Sequence, residues 1–256
     1  MRAEEQRRQP APRYAGGMTE PDPDTVHRTH FVDNRANWDD RATLHEASGY
    51  GIAELLASPT ALTKDVTDDR ERLGDLVDLD VIHLQCHLGL DTISLSRLGA
   101  RRVVGLDLSP RSLERARELA RRAGARIELV ESNVYAAREA VTGDFDLVYT
   151  TLGVLCWLPD VGAWARVVAS LLRPGGRLVL RDDHPVFMAV GDDTSQGLSL
   201  HEPCFQQEEP MTWEKEDSYV EAPEGAAPIT HTRSHQWNHA VGEILTALLR
   251  AGLVLD

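Results

Sequence analysis

The sequence predicts a doubly wound α/β fold with a mostly parallel sheet, and three observations lead there. Short apolar runs recur between residues 80 and 181, stretches with helical periodicity separate them, and Gly, Pro, Ser and Asp punctuate the joins where helix ends need them. Asp80 to Gln85 (DVIHLQ), Arg102 to Leu106 (RVVGL), Arg126 to Val130 (RIELV), Phe145 to Thr150 (FDLVYT) and Arg177 to Arg181 (RLVLR) read as five strands. Runs of this kind belong in a parallel sheet covered on both faces, and right-handed crossovers make that sheet doubly wound.

Taken in order, residues 1–24 are rich in Arg, Glu and Pro without apolar periodicity, and a disordered tail is expected. Residues 25–79 are expected to form an N-terminal helical cap. In it Asp33-Asn34 can cap a helix carrying Ala36, Trp38, Ala42 and Leu44, and a second short helix runs from Ile52 to Ala57. Residues 80–256 are expected to form the main domain. After the first strand a turn with Gly89 leads into a helix from about Asp91 that stops at Leu98-Gly99. Ser109-Pro110 supplies an N-cap and a first-turn proline, and Ala123-Gly124 ends that helix. Asp160 caps a helix burying Val161, Trp164, Val168 and Leu171, and Arg173-Pro174-Gly175-Gly176 reads as a tight turn before the fifth strand. About 185–235 the pattern breaks and an acidic lid is expected, with no clear element from 185 to 230. Helical periodicity resumes at Ala240 to Arg250, and Leu253 to Leu255 starts a further strand.

Composition bounds the function. The net charge of −14, from 27 basic and 41 acidic residues, argues against wrapping nucleic acid, which needs cationic surface. No apolar run is long enough for a membrane span, and the first twenty residues have no apolar signal core, so a cytoplasmic protein is expected. Cys86, Cys156 and Cys204 lie far apart with no C-x-x-C, so neither a zinc site nor a disulfide framework is expected.

The first strand–turn–helix reads His83-Leu84-Gln85-Cys86-His87-Leu88-Gly89-Leu90-Asp91. A dinucleotide loop, G-x-G-x-x-G, needs glycines so that the backbone can approach a pyrophosphate. Here Gln85 and His87 fill two of those slots, which disfavours a nicotinamide-dependent oxidoreductase and suits a cofactor without phosphates.

VIHLQCHLGLDTISLSRLGARRVVGLDLSP resembles motifs I and II of the class I methyltransferases dependent on S-adenosylmethionine, and within them a bacterial subgroup that writes motif I as LQCHxGxDT. The similarity continues through FDLVYTTLGVLCWLPD and LLRPGGRLVL, and FVDNRANWDDRATLHEASGY resembles that subgroup's cap. The resemblance implies a Rossmann-like methyltransferase fold binding S-adenosylmethionine. It places Asp107 on the ribose hydroxyls, Gly89 beside the adenosyl group, and Gln85 and His87 at the methionine end with side-chain donors. It puts Asn133 on the adenine amino group with the Val134 amide on the ring, Leu108 beside them, Thr151 under the methionine and Trp38 over the cofactor. Each has a plainer reading beside it: Asp107 as a helix cap, Asn133 as an Asx turn, Cys86 as a small buried hydrophobe, Trp38 as a packing anchor. His83 stands where the broad family has an acid.

Methyl transfer from a sulfonium needs mainly alignment, with a base where the acceptor has a proton to lose. His184, in Asp182-Asp183-His184-Pro185 just past the fifth strand, is the candidate base, with either aspartate to orient it. Trp157, His201, Trp213, His231, His235 and Trp237 are candidates for lining an acceptor pocket. The His231–His235–His239 spacing lacks a zincin Glu or Cys partner, so no metal is expected. A small-molecule acceptor is expected, methylated on O, N or C. Residues 191–224 carry ten acids and one base, so a cationic acceptor is the one that lid would steer. The family's sheet has seven strands, whereas here Val254-Leu255-Asp256 closes the sequence. The chain is then truncated, or its sheet edge is completed by a neighbour in a homodimer, and a non-catalytic relative that binds the cofactor stands as the alternative to an enzyme.

Overall fold

The computed structural model describes residues 23–190, 195 and 197–256. The tail expectation for residues 1–22, and residues 191–194 and 196 of the acidic segment, lie outside the described residues. The chain runs α1 (Pro23–Ala47), α2 (Ile52–Leu56), α3 (Lys64–Asp68), α4 (Arg70–Leu73), β1 (Asp80–Leu84), α5 (Leu90–Arg97), β2 (Arg102–Asp107), α6 (Pro110–Ala123), β3 (Glu128–Glu131), α7 (Ala137–Ala140), β4 (Phe145–Thr151), α8 (Val161–Leu171), β5 (Leu172–Arg181), α9 (Pro185–Ala189), β6 (Met211–Glu214), β7 (Arg233–Gln236) and α10 (Val241–Arg250).

β1 to β5 form one parallel sheet in the order β3-β2-β1-β4-β5, so the strand order reverses between β1 and β4. Alternation of side chains across each strand gives the sheet two apolar faces. Ile82, Leu84, Val104, Leu106 and Val148 pack with Trp164 and Val168 of α8 and Leu248 of α10. Val81, Val103, Leu147 and Tyr149 pack with Leu95 of α5, Val66 of α3 and Leu73 of α4. The fold class expected from the strand–helix alternation is the one observed.

Local signals act where the sequence puts them. The Ser109 hydroxyl accepts from the Ser112 N–H at 2.9 Å, Pro110 opens α6, and Gly124 leaves it at φ +63°. Asp160 caps α8 through the Ala163 N–H at 2.8 Å.

Several expectations are corrected, among them the tight turn at Arg173-Pro174-Gly175-Gly176, which lies within β5. Asp33-Asn34 caps nothing: α1 is one continuous helix from Pro23, so residues 23 and 24 are helical. Asn34 instead works as a backbone mimic in mid-helix. Its amide donates to the His235 carbonyl at 2.9 Å and accepts from the His235 N–H at 2.7 Å, which ties α1 to β7. Residues 185–230, expected to hold no clear element, include α9 and also β6, which pairs antiparallel with β7. Leu253 to Leu255 form no strand; Val254 is 87% exposed and pairs with nothing that would extend the sheet. Among the described residues no helix is long and apolar enough to cross a membrane.

Candidate functional site

Where the strand order reverses, a cavity of about 660 Å³ opens at the carboxyl ends of β1, β2 and β4, under the N-terminal helices. Such a crevice is where doubly wound sheets take their ligands. Trp38, Gln85, His87, Asp107, Leu108, Asn133, Val134 and Thr151 all line it, as does Trp157.

The loop after β1 does with side chains what the dinucleotide pattern does with glycine. Gln85, His87 and Gly89 all take left-handed φ, at +56°, +48° and +70°. For the two non-glycine residues that conformation costs roughly 1–2 kcal/mol each, so the surroundings must hold it. Asp107 does so, accepting the His87 N–H at 2.7 Å and the Ser109 N–H at 2.8 Å on its two oxygens. The Gln85 amide donates to the Val154 carbonyl at 3.0 Å, and its Oε1 is buried without a partner. Gly89 is not at the cavity wall. A Cβ there would meet the Ala116 Cβ at 3.0 Å, so glycine serves the turn and the packing of α6, with Leu88 and Leu90 on either side of it on the wall.

Burial pushes the Asp107 carboxyl up to about 6, against the backbone N–H groups of Ser109, His87 and Leu108 that hold it down. Both carboxylate oxygens keep a lone pair beyond these bonds. Asn133 behaves as the Asx turn: its side-chain oxygen accepts the Tyr135 N–H at 3.0 Å and caps a short 3-10 turn over Val134–Ala136.

His87 lines the cavity, and both its ring nitrogens have protein partners. Nδ1 lies 3.0 Å from the Ser112 hydroxyl and Nε2 lies 2.9 Å from His45 Nδ1. His45 Nε2 continues the chain to the Ser218 hydroxyl at 2.9 Å, which also accepts from Arg41 at 3.0 Å. Burial, then the Arg41 charge, lowers His45 to about 4, and burial holds His87 well below the usual imidazole range, so both stay neutral. Trp38 stands edge-on to this chain, 5.0 Å from the His87 ring and 5.2 Å from the Trp157 ring.

The cap side of the wall holds residues that motif reading missed: Tyr50, Glu54, Thr63, Lys64, Asp65, Asp91 and Tyr219. The Tyr50 and Tyr219 hydroxyls meet at 3.0 Å and bring the β6–β7 connection onto the cavity mouth. Asp91, two residues past Gly89, had a visible signal as an acid in the first turn of a helix facing the ligand edge. Glu54 sits on α2 and Lys64 and Asp65 on α3, while Tyr50, Thr63 and Tyr219 come from loops whose place no local pattern reveals.

His184 is not brought to the site. It is exposed, outside the cavity wall, and its Nδ1 accepts the Val186 N–H at 3.2 Å as the N-cap of α9. Asp182 does not orient it, because its carboxylate accepts the Gly153 and Leu155 N–H groups. His201, Trp213, His231, His235 and Trp237 also lie off the cavity wall. His231 binds Asp40 at 3.1 Å, His235 bridges Thr212 at 2.9 Å and Asp33 at 3.0 Å, and His239 reaches the Leu158 carbonyl at 2.7 Å. These histidines fasten the β6–β7 segment and α10 to the body.

Residues 81–176 match the family model described as a methyltransferase domain. A ubiquinone biosynthesis O-methyltransferase of Methylocella silvestris is 34% identical over 138 residues, covering 53% of this chain and 52% of that protein. The Xanthomonas euvesicatoria protein of the same name is 35% identical over 106 residues, covering 41% and 44%. The chain thus spans about half the length of the curated relatives it matches. An S-adenosylmethionine-dependent methyltransferase structure from Clostridium acetobutylicum aligns with TM-score 0.55 at 18% identity, over 75% of this chain and 80% of that one. A complex of DhpI with SAH aligns with TM-score 0.53 at 17% identity, over 88% of each chain. Residues 81–176 are therefore similar to a methyltransferase domain, and the fold of the chain is the one those two solved structures have.

Proposed function

We propose that the chain binds S-adenosylmethionine in this cavity and transfers its methyl group to an O, N or C atom of a small molecule. The observation that carries the reading is Asp107. It stands at the end of β2 on the cavity wall, fixed by two backbone N–H groups, with lone pairs left for a ribose diol. The orphaned, buried Gln85 Oε1 supports it, since a donor from the ligand would relieve that desolvated acceptor. Asp91 in the first turn of α5 opposes a pyrophosphate, which would need that helix start free of negative charge.

The cofactor supplies a sulfonium methyl already activated for displacement. The protein's part is then alignment and exclusion of water, and Trp38 with Trp157 covers the cavity for that purpose. His83 and His87 stay neutral and serve as hydrogen-bonding groups. The acidic segment 191–224, with ten acids against one base, favours a cationic or amine acceptor over an anionic one. The relatives' O-methyltransferase name supports a hydroxyl acceptor in its place, but it rests on about half their length.

Ionised Asp107 accepts ribose hydroxyls and the protonated acid does not accept both. Binding of 5′-methylthioadenosine, which keeps the ribose and lacks the amino acid, is therefore expected to weaken about tenfold per unit below pH 6 and to be flat above it. The free fold responds with the opposite sign: a carboxyl raised by burial costs stability as pH rises through about 6. Calorimetry between pH 5 and 8 measures the first, and thermal unfolding the second. A flat binding profile would remove Asp107 from the site, and no binding of this nucleoside or of S-adenosylhomocysteine would overturn the proposal.

A further inference from the structure

S-adenosylmethionine and S-adenosylhomocysteine both end in an α-amino acid, whose ammonium group, entering a partly enclosed cavity, needs an acceptor or counter-charge on the wall beside its own carboxylate. Past β1 the cavity is walled by His83, Thr63, Asp65 and Asp91, with Tyr50 beside them. His83 offers no charge. Burial pushes its imidazole down to about 3, and its Nδ1 is 3.0 Å from the Thr92 hydroxyl. Asp65 is engaged by Arg181 at 2.8 Å, and the neighbouring Asp69 by the same guanidinium at 2.9 Å. Glu54 is exposed on α2.

Asp91 differs from these. It lies at the start of α5, just beyond the left-handed loop, half-buried on the cavity wall. Among the described residues no ion pair involves it. We propose that Asp91 is the counter-charge that binds the ammonium group at the amino-acid end of the cofactor. The inference rests on the S-adenosylmethionine reading above and adds a residue to it. Its surroundings suit the role: the carboxyl is raised to about 6 by burial, held down by the Thr63 hydroxyl, and pushed up again by Asp65. The Arg181 charge and Asp69 act more weakly, and Tyr149 and Tyr50 face it as neutral phenols. A ligand cation would relieve the desolvated carboxylate.

Asp91→Asn keeps the shape and removes the charge. In calorimetry on the whole chain it is expected to weaken S-adenosylhomocysteine roughly 10- to 100-fold, the worth of a charge-assisted hydrogen bond. Binding of 5′-methylthioadenosine, which lacks the whole amino acid and so offers Asp91 nothing to bind, is expected to stay within about twofold of wild type. Asp91→Glu is expected to recover part of the loss. Unchanged S-adenosylhomocysteine binding in D91N would overturn the assignment. Equal loss of both nucleosides would overturn it too, because Asp91 would then be shaping the loop. A wild-type chain that binds neither would show that the underlying reading fails, whatever Asp91 does.

Discussion

Replacing Asp107 with alanine is expected to weaken S-adenosylhomocysteine binding by about 10²- to 10⁴-fold, the loss of two hydrogen bonds to a charged acceptor. The effect exceeds those ligand contacts alone. Asp107 also accepts the His87 and Ser109 N–H groups, so its loss frees a loop that carries left-handed φ at Gln85 and His87. Asp107→Asn separates the two contributions. Its single oxygen can satisfy one of the two N–H groups, so its unfolding temperature is expected to lie between wild type and D107A while the carboxylate charge facing the ribose is already lost. Calorimetry and thermal unfolding on the same preparations read both effects.

The second large effect concerns stability. Asp69 is fully buried between α3 and α4; it accepts the Tyr149 hydroxyl at 2.9 Å and both its oxygens face Arg181 Nε at 2.9 Å. This network pins the two cap helices to β4 and β5, and Asp65 at the cavity wall shares its arginine. Asp69→Ala leaves the Tyr149 phenol without its partner and Arg181 with Asp65 alone, and breaking a buried pair on one side typically costs about 3–5 kcal/mol. For a chain of this size that corresponds to roughly 10 °C in unfolding temperature. A shift of a degree or two in thermal unfolding would show that the network is not holding the cap.

Much of the fold could be read because its signals are local. Ser109-Pro110, Gly124 and Asp160 each act through atoms within three residues, so the sequence pattern and the hydrogen bond coincide. The cap could not be read that way. The inner face of α1 presents Asn34, Asn37, Arg41 and His45, at helical spacing and all buried, to the β6–β7 segment. A polar stripe gives no apolar periodicity, and its partners lie some two hundred residues away. β6 and β7 escaped for the same reason, since MTWE and RSHQ alternate weakly and owe their order to α1.

The site divides in a similar way. Residues on the ends of β1, β2, β3 and β4 were legible, because the topology fixes where strand ends go. His184 follows β5 and so appeared to qualify, but Pro185 starts a helix there and makes it a cap. Gly89 was placed on the correct turn, while its packing against Ala116 of α6 left no sign in the local sequence. Tyr50 and Tyr219 meet across 169 positions of sequence, a contact that only the folded chain brings about.

The central claim is that this cavity accepts a sulfonium nucleoside and refuses a dinucleotide. Calorimetric titration of the whole chain with S-adenosylmethionine, S-adenosylhomocysteine and NAD in one buffer tests it most directly. Micromolar binding of the first two with no heat from NAD is the expected result; binding of NAD, with neither of the others, would contradict it.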